Sequence, residues 1–248
     1  MIKLGGSVIT DKTKRYSFRD KVTKSLVQEI KASDPQQFII VHGGGSYGHP
    51  GAEQYKLNTE RPLEYDKATA LVQRDMRELN SMIVDIFIDN NFWAVSIPGG
   101  IVTRYENGEL VDIDKELFHE YLDIGTTPIT FGDVALDRKR GVTICSGDDL
   151  MERLSSEAEK AIFVTDVNGI YKNGELAPKF TKEMFPLVDE DLPSEDTSID
   201  VTGGMNQKVK RMMKMAEKTP TYVINGLKEG RLKSLLDDED TIYTEVKA

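Results

Sequence analysis

The order of apolar segments predicts an α/β fold, a mainly parallel sheet covered by helices on both faces. Two observations carry this. Short β-rich runs alternate with helical patterns along the whole 248-residue chain, the order that stacked β-α-β units produce. Most of those runs end in a glycine-containing loop, and open α/β sheets bind their ligands beyond such strand ends.

The strongest strand candidates are residues 1–4, 38–41, 94–97, 128–131, 161–165 and 222–224, nearly continuous in Ile, Val, Phe and Thr. Val22, Leu26 and Ile30 mark a first helix. Tyr65, Ala68, Val72, Met76, Leu79, Ile83 and Ile86 recur every three or four residues and predict one long amphipathic helix over about 64–91. Residues 101–105 and 109–112 flank Asn107-Gly108, which suits a type I′ hairpin turn. Residues 134–136 and 142–144 form a second hairpin candidate. Met205, Val209, Met212 and Ala216 mark a late helix whose methionine stripe reads as core packing. Residues 194–198 are polar enough for a loop, and 237–240 form a short acidic run at a helix end or turn.

With 32 basic and 42 acidic residues the chain carries a net charge of −10, which argues against nucleic acid as a partner. No apolar run approaches the ~20 residues of a membrane span. The N-terminal segment turns polar too early for a signal peptide. The single cysteine, Cys145, cannot form an internal disulfide, and no CxxC or His-rich cluster predicts a protein-held metal. These features predict a cytoplasmic protein.

Five segments could carry chemistry. Lys3-Leu4-Gly5-Gly6-Ser7 places a lysine inside a strand, where burial is costly unless the ammonium meets an anion; an edge lysine before an ordinary turn is the plain alternative. Val41-His42-Gly43-Gly44-Gly45-Ser46-Tyr47-Gly48-His49 follows the second strand with three glycines that could turn successive N–H groups toward a phosphate, or simply turn the chain. Neither GxGxxG nor the GxxxxGK[ST] phosphate loop occurs. Ser146-Gly147-Asp148-Asp149 opens a helix and puts a carboxylate either in the site or in a cap. Thr165-Asp166-Val167-Asn168-Gly169-Ile170-Tyr171 ends a buried strand, and Asp200-Val201-Thr202-Gly203-Gly204-Met205-Asn206-Gln207-Lys208 leads into a basic helix.

Charge is unevenly spread. Residues 1–24 hold seven basic side chains against Asp11 and Asp20, and residues 205–218 hold five against Glu217. Two positive segments beside glycine loops in an acidic chain suit a small polyanionic ligand.

Together, and in this order, KLGGS, VHGGGS, SGDD, TDVNGIY and DVTGGMNQK resemble the amino acid kinase family, over nearly the whole chain. The GGGSYGH segment, the early ITDK, QRDM and FGDV resemble its isopentenyl phosphate kinase branch, and the fosfomycin-phosphorylating kinases share the histidine. The resemblance implies an αβα sandwich around a largely parallel sheet of about eight strands. It is read as a single domain, 1–248, with the acceptor bound by an N-terminal part (about 1–158) and ATP by a C-terminal part (about 159–248).

Carried over, Lys3 and Lys208 bind ATP phosphates, Lys12 joins them from a loop, and Asp148 holds the lysines. His49, Gly44 and Gly147 hold the acceptor phosphate; Thr69, Val72, Val134 and Ile144 surround its apolar tail. Gly5, Gly6, Ser7 and Gly45 face the transferred phosphate, Thr165, Asp166, Gly169, Tyr171 and Lys179 lie near the nucleotide, and Gly204 is a further cofactor-binding position. The implied cofactors are ATP and Mg²⁺, the metal held mainly by ATP phosphates and water, and the implied assembly is a homodimer. Residues 172–178 depart from the pattern, being shorter than in many relatives and lacking their usual Asp-Pro. His42 reads as structural, and His119 has no motif around it. The alternatives are a kinase for another small phosphate or phosphonate and a non-catalytic nucleotide-binding protein of the same fold.

Overall fold

The computed structural model describes residues 1–57, 59, 63–172, 174–187 and 204–248; the polar segment 194–198 and residues 200–203 of the last motif lie outside them. In chain order, β1 (Ile2–Leu4), α1 (Gly6–Ile9) and α2 (Asp20–Ser33) precede β2 (Ile40–His42), α3 (Gly45–Gln54) and the long α4 (Tyr65–Asp89). There follow β3 (Ala94–Pro98), α5 (Gly99–Val102), β4 (Thr103–Glu106), β5 (Glu109–Ile113) and α6 (Glu116–Asp123). Next come β6 (Thr127–Phe131), β7 (Asp133–Asp137), β8 (Gly141–Cys145) and α7 (Gly147–Leu154). The last part holds β9 (Ala161–Thr165), β10 (Tyr171–Lys172), β11 (Glu175–Leu176), β12 (Lys179–Phe180), α8 (Gly204–Ala216), β13 (Thr221–Asn225), α9 (Arg231–Leu236) and β14 (Tyr243–Val246).

Eight strands form the main sheet in the order β12-β14-β13-β9-β1-β2-β6-β3. Every neighbouring pair is parallel except β13 with β14. β5-β4-β7-β8 make a separate four-stranded sheet from the two hairpins, and Asn107 and Gly108 both take positive φ, as the predicted turn needs.

Strand alternation sorts the core into two layers. Ile2, Leu4, Ile40, Ile129, Phe131, Ile162, Val164 and Ile224 pack on one face against α2, α3, α4 and α9. Val41, Phe163 and Val223 point the other way, toward Leu150 and Met151 of α7 and Val209 and Met212 of α8. Lys3 lies between Ile2 and Leu4, so it belongs to this second face, with its ammonium 5.5 Å from the Phe163 ring centre.

The structure corrects three details. Residues 101 and 102 end the short helix α5 instead of starting a strand, because Thr103 closes that turn with a 2.6 Å bond from its hydroxyl to the Gly99 carbonyl. The α4 stripe begins at Ala68, with Tyr65 exposed, and it includes the buried polar residues Asp75 and Asn80. The methionine stripe of α8 is core at Val209 and Met215, whereas Met212 also borders the cavity described below.

His42 shows why a polar residue sits in that stripe. Its ring is fully buried and stacks on Phe131 at 5.0 Å. Nδ1 donates to the Gly43 carbonyl at 3.1 Å, which leaves Nε2 to accept from Asn80 at 3.1 Å. Ser96 of β3 in turn donates to Asn80, so one polar chain runs from the sheet edge to the glycine loop.

Burial pushes the His42 imidazole down to about 4. Stability from this group is therefore complete above pH 6.5 and lost as the pH falls toward 4, because only the unfolded chain takes up the proton. Asp133 opposes it: burial holds its carboxyl up at about 6, so its contribution is complete below pH 3.8 and lost as the pH rises to about 6. Urea titrations at pH 6.5 and pH 4 are expected to expose the two slopes. Relative to the wild type, His42→Phe gains and Asp133→Asn loses about 3 kcal/mol on acidification.

Candidate active site

The two glycine loops cross where β1 and β2, adjacent and parallel, release the chain. A Cβ on Gly6 would lie 2.5 Å from the Gly45 nitrogen, and one on Gly43 would lie 2.8 Å from the Gly6 nitrogen. Gly45 itself takes φ +47, and its Cβ would collide with Thr10 Oγ1 at 2.0 Å. The crossing thus needs glycine for close backbone approach. It puts Gly5, Gly6, Ser7, Gly43 and Gly44 on the wall of one cavity of about 330 Å³.

Opposite them, α7 starts with a reciprocal cap: Asp149 N–H donates to Ser146 Oγ at 3.1 Å, and Ser146 N–H to Asp149 Oδ2 at 3.2 Å. Both readings of this motif therefore hold, divided between the two aspartates. Asp149 caps, and Asp148 is left to pair with Lys3 across the cavity, where both are almost wholly buried. Burial alone would raise the Asp148 carboxyl; the Lys3 ammonium beside it, and then Lys208, outweigh burial and hold it below the usual carboxylate range.

Helix α8, which carries Lys208 to the cavity wall, is docked on the same cap. Arg211 donates to Asp149 Oδ1 and, at 3.2 Å, to Ser146 Oγ. Tyr105 supports Asp149 Oδ2 at 3.0 Å, and Lys214 pairs with Glu152 one turn further along. Arg211 and Tyr105 were invisible as site supports in the sequence. Arg211 lies three residues after Lys208 in the basic run, but nothing local identifies Asp149 as its partner.

Helix α3 brings His49 to the cavity, and the loop after α1 brings Lys12. Beyond them the wall becomes apolar, with Ala52, Val72, Met76, Val134 and Ile144. On the far side lie Thr165, Asp166, Gly169 and Tyr171, and Gly147 opens α7 between the two ends. Met76 was missed as a lining residue although it is one turn from Val72 on the same stripe.

Three expected site residues fall elsewhere. Lys179 is exposed on β12, the outermost strand of the sheet, and does not line the cavity. Thr69 turns its hydroxyl back to the Tyr65 carbonyl at 2.6 Å, along its own helix. Gly45 is buried in the loop crossing instead of facing the cavity. Gly204 is the first residue of α8, and its relation to the cavity lies outside what is described. Cys145 does line the cavity, but burial pushes its thiol up to about 12. His119 is exposed and pairs with Glu157 at 2.7 Å, away from the site.

The site is thus cationic and rich in backbone N–H groups around the glycine loops, apolar beside α3 and α4, and mixed along β9 and the loop after it, where Val164, Val167 and Ile170 stand with Thr165, Asp166 and Tyr171. A model of the amino acid kinase family matches residues 1–225. The chain belongs to the amino acid kinase family. Among curated relatives it is 32% identical to the isopentenyl phosphate kinase of Methanothermobacter thermautotrophicus, an alignment covering 99% of this chain and 98% of that one. It is also 32% identical to the isopentenyl phosphate kinase of Thermoplasma acidophilum, with 91% of each covered. A solved isopentenyl phosphate kinase structure superposes with a TM-score of 0.84 at 29% identity, over 99% of this chain and 98% of the other. The main sheet and its flanking helices are therefore this family's fold.

Proposed function

We propose that this chain is an ATP-dependent kinase that phosphorylates isopentenyl phosphate to isopentenyl diphosphate, a step of isoprenoid synthesis. One observation carries the reading: one cavity is lined both by Lys12, His49 and the glycine loops, groups suited to an anion, and by the apolar side chains Val72, Met76, Val134 and Ile144. Relatives of that name, aligned along nearly the whole chain, support it. The acceptor lies toward the N-terminal part (about 1–158) and the nucleotide toward the C-terminal part (about 159–248), beside Thr165, Asp166, Gly169 and Tyr171.

The acceptor needs no general base, because a phosphate monoester with a second pKa of about 6 is already mostly dianionic at neutral pH. Its oxygen attacks the γ-phosphorus of ATP while the bond from that phosphorus to the bridging oxygen of ADP breaks. No proton has to move. The obstacle is repulsion between anions and the charge on the group in transit, and fixed cations and N–H donors answer it. Lys3 and Lys208 hold the ATP phosphates, and Asp148 orients Lys3. Lys12 follows the transferred group; the imidazole of His49 donates to the acceptor phosphate, with Gly44 and Gly147 lending backbone contacts. Among the described residues no group of three or more His, Cys, Asp or Glu side chains converges to hold a metal. Lys3, Lys208 and the glycine-loop N–H groups fit nucleotide phosphates, and Mg²⁺ arriving with the nucleotide would supply further charge neutralisation. The reading includes a cytoplasmic homodimer; no helix among the described residues is long and apolar enough to cross a membrane.

The test is to offer ATP with isopentenyl phosphate, fosfomycin and short phosphomonoesters and to follow products by phosphorus NMR. The expected result is a pair of coupled diphosphate resonances with isopentenyl phosphate far ahead of the others. Preferred transfer to fosfomycin would replace the acceptor, and ATP binding with no transfer to any acceptor would replace catalysis by binding.

A further inference from the structure

The loop that carries Lys12 is closed at its neck, where Asp11 N–H donates to the Ser17 carbonyl at 2.9 Å and Thr10 pairs with Phe18. Lys12, Lys14 and Arg15 stand on it, with Lys14 and Arg15 exposed. Such a loop would swing freely unless something fixed its far limb. Tyr16 does so, in the left-handed conformation (φ 56) that a bulky residue adopts only when its surroundings demand it.

Four contacts hold Tyr16, and all reach elements that build the acceptor end of the cavity. Its N–H donates to the Ser46 carbonyl at 3.3 Å, and its carbonyl accepts from the Tyr47 hydroxyl at 3.1 Å. Its ring meets Tyr47 edge-on at 5.4 Å. Its hydroxyl donates to Asp75 Oδ2 at 2.8 Å. Ser17 adds a bond from its N–H to Ser46 Oγ at 3.1 Å.

The Ser46 carbonyl can serve because of Pro50. Within α3 that carbonyl would ordinarily take the N–H of residue 50, and proline has none. The helix that presents His49 therefore offers one backbone acceptor to its neighbour, and the loop takes it. Asp75 is equally suited: it is 2% exposed, and Arg74 occupies only its other oxygen, Oδ1, through Nε at 2.9 Å and Nη2 at 2.6 Å. The next residue on α4, Met76, lines the apolar end.

We propose that Tyr16 is a positioning residue for phosphoryl transfer. Clamped between Ser46-Tyr47 and Asp75, it keeps the Lys12 loop in register with the His49 helix, and Lys12 reaches the transferred group in that register. This inference rests on the kinase reading above.

The test is a cycle of Tyr16→Phe, Lys12→Ala and the double variant. Tyr16→Phe removes one oxygen from a residue already 40% exposed, so the fold is retained. The hydroxyl bond to a buried carboxylate predicts a fall in kcat of about tenfold with the acceptor KM within about twofold. In the Lys12→Ala background the same change should cost less than about twofold, because its route to the reaction is gone. Equal losses in both backgrounds, or wild-type kcat in Tyr16→Phe, would overturn the proposal. A second readout needs no turnover: trypsin should cut native Tyr16→Phe after Lys14 or Arg15 several times faster than wild type, and equal cutting rates would also overturn it. Absence of diphosphate product from the wild type rejects the kinase reading instead and leaves the proteolysis arm to decide the clamp.

Discussion

Lys12→Ala is expected to lower kcat by about 10²–10³-fold, the loss typical when one preorganised donor to a developing charge is removed. His49→Ala is expected to cost a similar factor in kcat/KM, mainly through a raised acceptor KM, since in the proposed mechanism the imidazole would meet the acceptor phosphate in both ground and transition states. Both side chains are half-buried on the cavity wall and belong to no core cluster. Their thermal midpoints should therefore stay near that of the wild type. An ADP-release assay with saturating ATP and varied isopentenyl phosphate, run beside thermal unfolding, separates the two effects. Wild-type kinetics in both variants would sink the mechanism.

The second large effect concerns Lys3 and Asp148, an ion pair in which both partners are nearly buried. Asp148→Ala leaves a buried ammonium without its carboxylate, a change expected to cost about 3–5 kcal/mol of stability as well as nearly all activity. Lys3→Met costs less stability, because Lys208 and Arg211 still lower the charge burden of Asp148. The double variant Lys3→Met/Asp148→Leu removes both charges and should regain most of the lost stability, since apolar side chains of similar size often replace a buried pair without penalty. Its activity should stay near zero. Urea unfolding and single-turnover assays on the three variants check this. Recovered turnover in the double variant would show that the pair is structural only.

Much of this site could be read from the sequence because its parts are local. Lys3 was legible as a lysine forced into a buried strand, and the period of two decided which face it took. The glycine loops were legible because they directly follow strands that prove to be neighbours. Val72, Val134 and Ile144 were found by resemblance, and their burial confirms only that they are apolar wall.

What escaped depends on distant partners. Asp75 and Asn80 have no place in an apolar period, yet each lies buried on α4 because it answers a polar group from another element, Tyr16 and His42 respectively. Lys179 was assigned by resemblance alone, and its two-residue strand at the far edge of the sheet puts it outside the cavity. Residues 101 and 102 carry β-branched side chains that favour a strand, but the close approach of Gly99 and Gly100 to the Phe131 and Val134 carbonyls bends the chain there instead.

Cys145 has a practical consequence for anyone seeking an inhibitor. Burial pushes its thiol up to about 12, so the reactive thiolate is scarce at neutral pH. Electrophilic warheads that depend on a cysteine would find almost nothing to react with, although the sulfur borders the pocket such a compound would fill. A durable ligand for this cavity has to gain its residence time from charge and shape, by spanning the lysine-rich centre and the hydrocarbon end together.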